Sequence, residues 1–218
     1  MYQLFDPDSW IMGVLSEIAD LMIVNVLWIL TSIPIFTIGA STTALYAVVK
    51  TPGSKRYASS VVKNYFSAFR RNFRSATLTF LILLVPMALA LCNIFLLLFG
   101  LLEGNLISYV FCVLSAFLFV FIWDYVFPLI ACFENGIFRT IGNALILSIA
   151  NLPVTLVVTA LNLLPLAVLI FFTEFFFRST MLWLLLAFAL IAKINCFFLE
   201  RVFRRFIPAD PEAAETEV

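Results

Sequence analysis

The sequence predicts an all-α membrane protein: a bundle of about five transmembrane helices, the first broken near Pro34 to Gly39, with a basic amphipathic helix at its surface. Three observations predict it. The 218-residue chain is 64% hydrophobic and 12% charged, whereas soluble domains have roughly 45–50% apolar and about 25% charged residues. Too little polar side chain remains to cover a water-soluble globule. The apolar residues also fall in runs long enough to cross a hydrocarbon core of roughly 30 Å, which takes about 20 helical residues. Finally, 13 basic residues cancel 13 acidic ones to a net charge of zero, but the two signs are segregated along the chain.

The runs are 21–49, 76–100, 106–132, 145–172 and 180–199, giving five spans in one polytopic domain, 1–207. The first is interrupted by Ser32, Pro34, Thr37, Gly39, Ser41, Thr42 and Thr43. A broken helix that crosses once is one reading. A helix that ends near Ile33, after which the chain turns back, is the other, and it would make the number of crossings even. Non-helical backbone at that depth needs protein or water around it, which favours the single crossing. Pro34 removes a backbone donor, and Thr31, Ser32, Thr37, Ser41, Thr42 and Thr43 supply hydroxyls able to cap a helix restarting near Ser41. Discontinuous helices hold substrate sites in transporters, so a polar pocket beside Gly39 is the functional expectation. The plainer reading, favoured here, is close packing through Ala40, Ala44 and Ala47.

Between the first two runs, 56–74 places Tyr57, Val61, Tyr65, Phe66, Phe69 and Phe73 at spacings of three to four, beside Lys63, Arg70, Arg71 and Arg74. Such a helix either lies in the headgroup plane or packs on the bundle with its charges serving only as a topology signal. The tail 208–218 is acidic and proline-containing with no apolar stripe, so it is expected to be disordered. Basic residues near span ends are retained in the cytoplasm. Five spans with the N-terminus outside and the C-terminus cytoplasmic put 12 of the 13 basic residues inside, leaving Arg178 outside.

The chemistry available is narrow. There is no histidine, the usual catalytic base and commonest metal ligand. Cys92, Cys112, Cys132 and Cys196 sit in apolar runs without CxxC spacing, which points to buried free thiols rather than a metal site or disulfides. No hydrolase, phosphate-loop or dinucleotide motif is present. The expectation is therefore a protein that is not an enzyme, with no catalytic residues, cofactor or metal; zero net charge argues against nucleic acid. Two ionisable groups lie inside spans, Asp124 and Lys193, at similar depth. An ion pair between the third and fifth spans is the sharpest expectation. Alternatively Lys193 snorkels to the headgroups while Asp124, flanked by Trp123 and Tyr125, belongs to an interfacial belt, or the two serve a transport or proton relay. Asn25, Asn93, Asn151, Asn162 and Asn195 are spread over four spans, where interhelical hydrogen bonds guide packing more than they stabilise.

The stretch from Asn25 to Lys50 resembles the YesL-like family of bacterial integral membrane proteins, a domain of unknown function. Asn25 and Trp28 match its first-helix motif; Pro34, Thr37, Gly39, Ala40, Thr43, Ala44, Leu45 and Tyr46 match the motif of its next segment. Ser67 to Thr77, the YVFPLIACFE stretch ending at Glu134, and Asn143 to Leu145 extend the likeness over nearly the whole chain. The chain departs at Cys132, where family members often carry a basic residue. The resemblance implies a multi-pass protein of the bacterial cell membrane. Relatives are often encoded beside carbohydrate ABC importers, which implies an accessory or scaffold role in sugar uptake or its sensing, with a permease or another membrane protein as partner. The alternative is a small transporter or channel with a polar site at the broken helix. That one would be a homo-oligomer, because five helices enclose little pore volume.

Overall fold

The computed structural model describes residues 10–51, 60–99 and 106–205, and among these there is no strand. The helices are α1 (Trp10–Ser32), α2 (Ile38–Lys50), α3 (Val61–Leu98), α4 (Leu106–Cys132), α5 (Ile137–Ala150), α6 (Leu152–Phe171), α7 (Thr173–Arg178) and α8 (Thr180–Phe203). Five of them, α1, α3, α4, α6 and α8, are long and apolar enough to cross a bilayer, which makes this a multi-pass membrane protein. The surface agrees. Large apolar side chains such as Leu89, Phe111 and Ile170 stand exposed, as they would toward lipid.

The first apolar run is a hairpin and not one broken span. A continuous helix would hold Trp28 and Thr42 about 21 Å apart, yet Trp28 Nε1 donates to Thr42 Oγ1 at 3.2 Å. The chain reverses through a single 3-10 turn, Ile35–Thr37. One side chain supports it: Thr37 Oγ1 donates at 2.6 Å to the carbonyl of Thr31 at the end of α1 and lies 2.6 Å from that of Pro34, which also accepts the Thr37 N–H at 2.9 Å. Nine of the 13 residues of α2 are buried, so the return helix is the centre around which the others pack.

That reversal changes the topology. Glu17 pairs with Lys193, and further along α1 Asn25 bonds to the backbone at Trp183, Leu184 and Ala189. Ascending α1 means descending α8, so the two are antiparallel. The expected five helices able to cross are present as α1, α3, α4, α6 and α8, while the first run divides into α1 and the shorter returning helix α2. The start of α1 and the end of α8 lie at the same end of the bundle. The ends of α2, α4 and α8 converge there, with Lys50 3.2 Å from Cys132 and the Phe133 and Phe203 rings 6.0 Å apart.

Two other boundaries differ from expectation. The amphipathic segment is not a separate surface helix: from Val61 it is the first part of α3, whose 38 residues run unbroken into the second span. At about 57 Å, α3 outreaches the hydrocarbon core, so Lys63, Arg70, Arg71 and Arg74 stay exposed while Tyr65, Ala68 and Ala76 pack inward. The expected fourth span divides into α5 and α6. Pro153 has no N–H to offer the turn before it, and the helix breaks at Asn151 (φ −125°, ψ 46°). Thr155 Oγ1 then covers the carbonyl of Ser148 at 2.7 Å and adds a bond at 3.1 Å to that of Asn151, which also accepts the Thr155 N–H. The tail 208–218 and the first residues of 56–74 lie outside the described residues.

Candidate functional site

Asp124 on α4 is 2% exposed and is not paired with Lys193. Its carboxylate accepts from Thr159 Oγ1 at 2.5 Å and from Asn162 Nδ2 at 2.8 Å, two residues i and i+3 on the inward face of α6. Asn162 Oδ1 in turn accepts from Asn195 Nδ2 at 2.7 Å, and the same Asn195 amide reaches the Tyr46 hydroxyl at 3.4 Å. One polar chain thus links α2, α8, α6 and α4 through the core. The expected ion pair is replaced because antiparallel α1 brings Glu17 to Lys193, leaving α6 to satisfy Asp124. The interfacial-belt reading of Asp124 also fails: Tyr125 is fully buried, bonded to Thr155 at 3.0 Å.

Above this chain is a cavity of about 220 Å³. Trp28, Trp123, Phe127 and Phe188 wall it, and Thr42, Tyr46 and Asn162 give it polar groups. The walls are held firmly. Trp28 is tied to Thr42 and its ring lies 5.0 Å from Phe188, while Trp123 sits 4.9 Å from Phe127 and 5.8 Å from Phe80. Thr42 accepts one hydrogen bond, from Trp28, and among the described residues has no acceptor for its own proton, while the Tyr46 hydroxyl is bonded to the amides of Asn195 and Asn162. The Thr42 hydroxyl donor therefore lines the cavity unmatched, beside the bonded Tyr46 hydroxyl.

The motif at the break performs structural work. Asn25 is fully buried against a π-helical segment of α8, Trp183–Ala187. Ser41 and Thr43 bond back to the carbonyls of Thr37 and Gly39 within α2 and do not cap its start. No pocket opens beside Gly39, because Ala76, Phe80 and Phe127 press against it. The packing reading holds there, with Ala40 and Ala44 wholly buried, and the cavity lies on the Thr42 side of the hairpin. Cys132, where the resemblance implies a basic residue, receives a charge from elsewhere in the fold through the Lys50 ammonium beside it. Of the four thiols, Cys112 and Cys196 are buried as expected, but Cys92 is exposed. Among the described residues no cluster of three metal-ligating side chains exists.

Sequence reasoning missed Thr42, Tyr46, Thr159 and Trp123 as site residues. Thr159 and Asn162 carried a usable signal, two polar residues at i and i+3 in an apolar run. The model of a family described as "Protein of unknown function, DUF624" matches residues 21–94, which comprise most of α1, the turn, α2 and most of α3. Comparisons with curated proteins and with solved structures return no match.

Proposed function

We propose that this protein binds a small, neutral, oxygen-rich molecule of the saccharide type in the cavity between α2, α4, α6 and α8. On this reading it is an accessory component of carbohydrate uptake or its sensing in a bacterial cell membrane. The observation that carries the reading is the unmatched Thr42 hydroxyl, with the Tyr46 hydroxyl beside it, in a cavity walled by two tryptophan rings. A sugar ring presents apolar C–H faces to aromatic walls and oxygen acceptors to hydroxyl donors. The volume is below the roughly 300–1,000 Å³ of drug-sized sites, which suits one ring. The neighbourhood of importer genes that the YesL-like resemblance implies points the same way, and it favours a protein that works with a permease over one that turns over a substrate.

Trp28 and Trp123 provide the readout. Titrating the detergent-solubilised protein with a panel of monosaccharides is expected to change tryptophan fluorescence saturably for at least one sugar. Tyr46→Phe, which deletes only the hydroxyl, should weaken that binding several-fold, the worth of one hydrogen bond. A panel without any saturable response would overturn the proposal. Co-purification with a permease, and no sugar flux in proteoliposomes, fits the accessory role; flux by the protein alone would favour the transporter.

Orientation is read from the charges. Lys50, Lys63, Arg71, Arg139, Arg201 and Arg204 belong to the end of the bundle where α2, α4 and α8 finish, and Arg178 to the other. We read the basic end as cytoplasmic, with both termini inside. Green fluorescent protein fused at either terminus should fluoresce, and alkaline phosphatase at either should be inactive. Active phosphatase at the N-terminus would refute this.

A further inference from the structure

We infer that the groove where α4, α5 and α8 meet at the basic end is a binding site for the phosphate headgroup of an anionic phospholipid. The groove has a volume of about 290 Å³ and is lined by the polar side chains of Asn135, Arg139 and Asn143 together with Leu129, Phe133, Ile146, Leu147 and Phe203. Arg139, Asn143 and Ile146 follow one another along one face of α5. Among the described residues, none of the three polar side chains has a hydrogen-bond or ion-pair partner within the protein. A guanidinium carries five N–H donors and each amide two more, so donors dominate the polar part of the lining. Gly136, which caps α5, offers no side chain to its first turn, and the amide N–H groups there add positive character beside Arg139.

Donors beside hydrocarbon in one groove describe an amphiphile with an anionic, oxygen-rich head. A free anion would account for Arg139 but not for the five apolar lining residues. Ile146 is 65% exposed and Phe138 78%, so apolar surface continues from the groove along the outside of α5, as an acyl chain would need. Basic pockets between membrane helices at the cytoplasmic surface hold lipid headgroups by this combination of charge and hydrocarbon. The site is separate from the aromatic cavity and does not depend on what that cavity binds.

Native mass spectrometry of the full chain in mild detergent tests the assignment, using phosphatidylglycerol, phosphatidylcholine and inorganic phosphate as probes. The wild type is expected to retain phosphatidylglycerol in preference to phosphatidylcholine, and inorganic phosphate should displace little of it. Arg139→Ala should weaken phosphatidylglycerol retention about tenfold, the worth of a charge-assisted hydrogen bond, and Arg139→Lys should restore part of it. Ile146→Trp, which fills the apolar side and keeps every charge, should also weaken retention. Arg70→Ala, an exposed basic residue on α3, should leave it unchanged. Equal retention of the two lipids, no effect of Arg139→Ala, or an equal effect of Arg70→Ala would overturn the proposal. Ready displacement by inorganic phosphate would overturn the lipid and make the site one for the free anion.

Discussion

Gly39→Ala is expected to destabilise the protein by about 3 kcal/mol, the upper part of the range for overpacking a filled core. A Cβ at this position would stand 2.5 Å from the carbonyl oxygen of Ala76, 2.8 Å from Phe80 Cβ and 2.9 Å from Phe127 Cε1. Two of those atoms belong to the backbone or sit directly on it, so they cannot swing away, and α2 must instead separate from α3. The helix that moves also carries Thr42 and Tyr46, so loss of stability and loss of the cavity's donors should occur together. Gly142 on α5 is an internal control. Nothing lies within 4 Å of its missing Cβ, and a helical glycine changed to alanine at an open position gains roughly 0.5–1 kcal/mol. Thermal unfolding followed by size-exclusion fluorescence in mild detergent should therefore show opposite signs for Gly39→Ala and Gly142→Ala. A Gly39→Ala protein as stable as the wild type would refute the close approach of α2 and α3.

Composition and run length made the all-helical membrane class legible, and 106–132 coincides with α4 because unambiguous polar connections bound it on both sides. The first hairpin was not legible by the same count. Glu17 and Asp20 made the apolar run start at 21, whereas α1 starts at Trp10. From there to Lys50 the chain is too long for one crossing, and what hides this is a charge cancelled from α8: Glu17 is tolerated because Lys193 meets it. Hydropathy sums residues and carries no direction, so it cannot distinguish a kink at Pro34 from a reversal there. The side-chain bond from Trp28 to Thr42 does. The polar residues of the site were visible singly, as costly groups in apolar runs. Their partners were not, because Asp124, Asn162 and Asn195 meet through a packing order that the antiparallel α1 imposes on α8.

The same packing order gives Asn25→Ala its expected effect, a loss of about 2–4 kcal/mol. A π-helical turn widens the ladder of hydrogen bonds in a helix, and in a membrane no water is available for the groups it frees. Asn25 takes the place of that water. Its Nδ2 donates to the carbonyls of Leu184 at 2.6 Å and Trp183 at 3.1 Å, and its Oδ1 accepts from the N–H of Ala189 at 2.8 Å. The amide thus stands between the carbonyl of residue 184 and the N–H of residue 189, the two groups that a π turn would otherwise join. An average interhelical hydrogen bond in a membrane contributes only about 0.6 kcal/mol, since the separated helices find other partners. Here truncation would leave backbone groups unsatisfied in the core at roughly 1–3 kcal/mol each, and relaxation of α8 toward a regular helix would recover part of that. Such relaxation rotates everything on the far side of the bulge relative to α2, including Phe188 at the cavity wall and Lys193 opposite Glu17. Asn25→Ala is therefore expected to lower the melting temperature and also to blunt any fluorescence response of Trp28, which packs on Phe188. Asn25→Asp keeps the acceptor for Ala189 but loses both donors, and should fall at or below the alanine variant. A protein in which both variants melt as the wild type does would show that the bulge needs no clamp from α1.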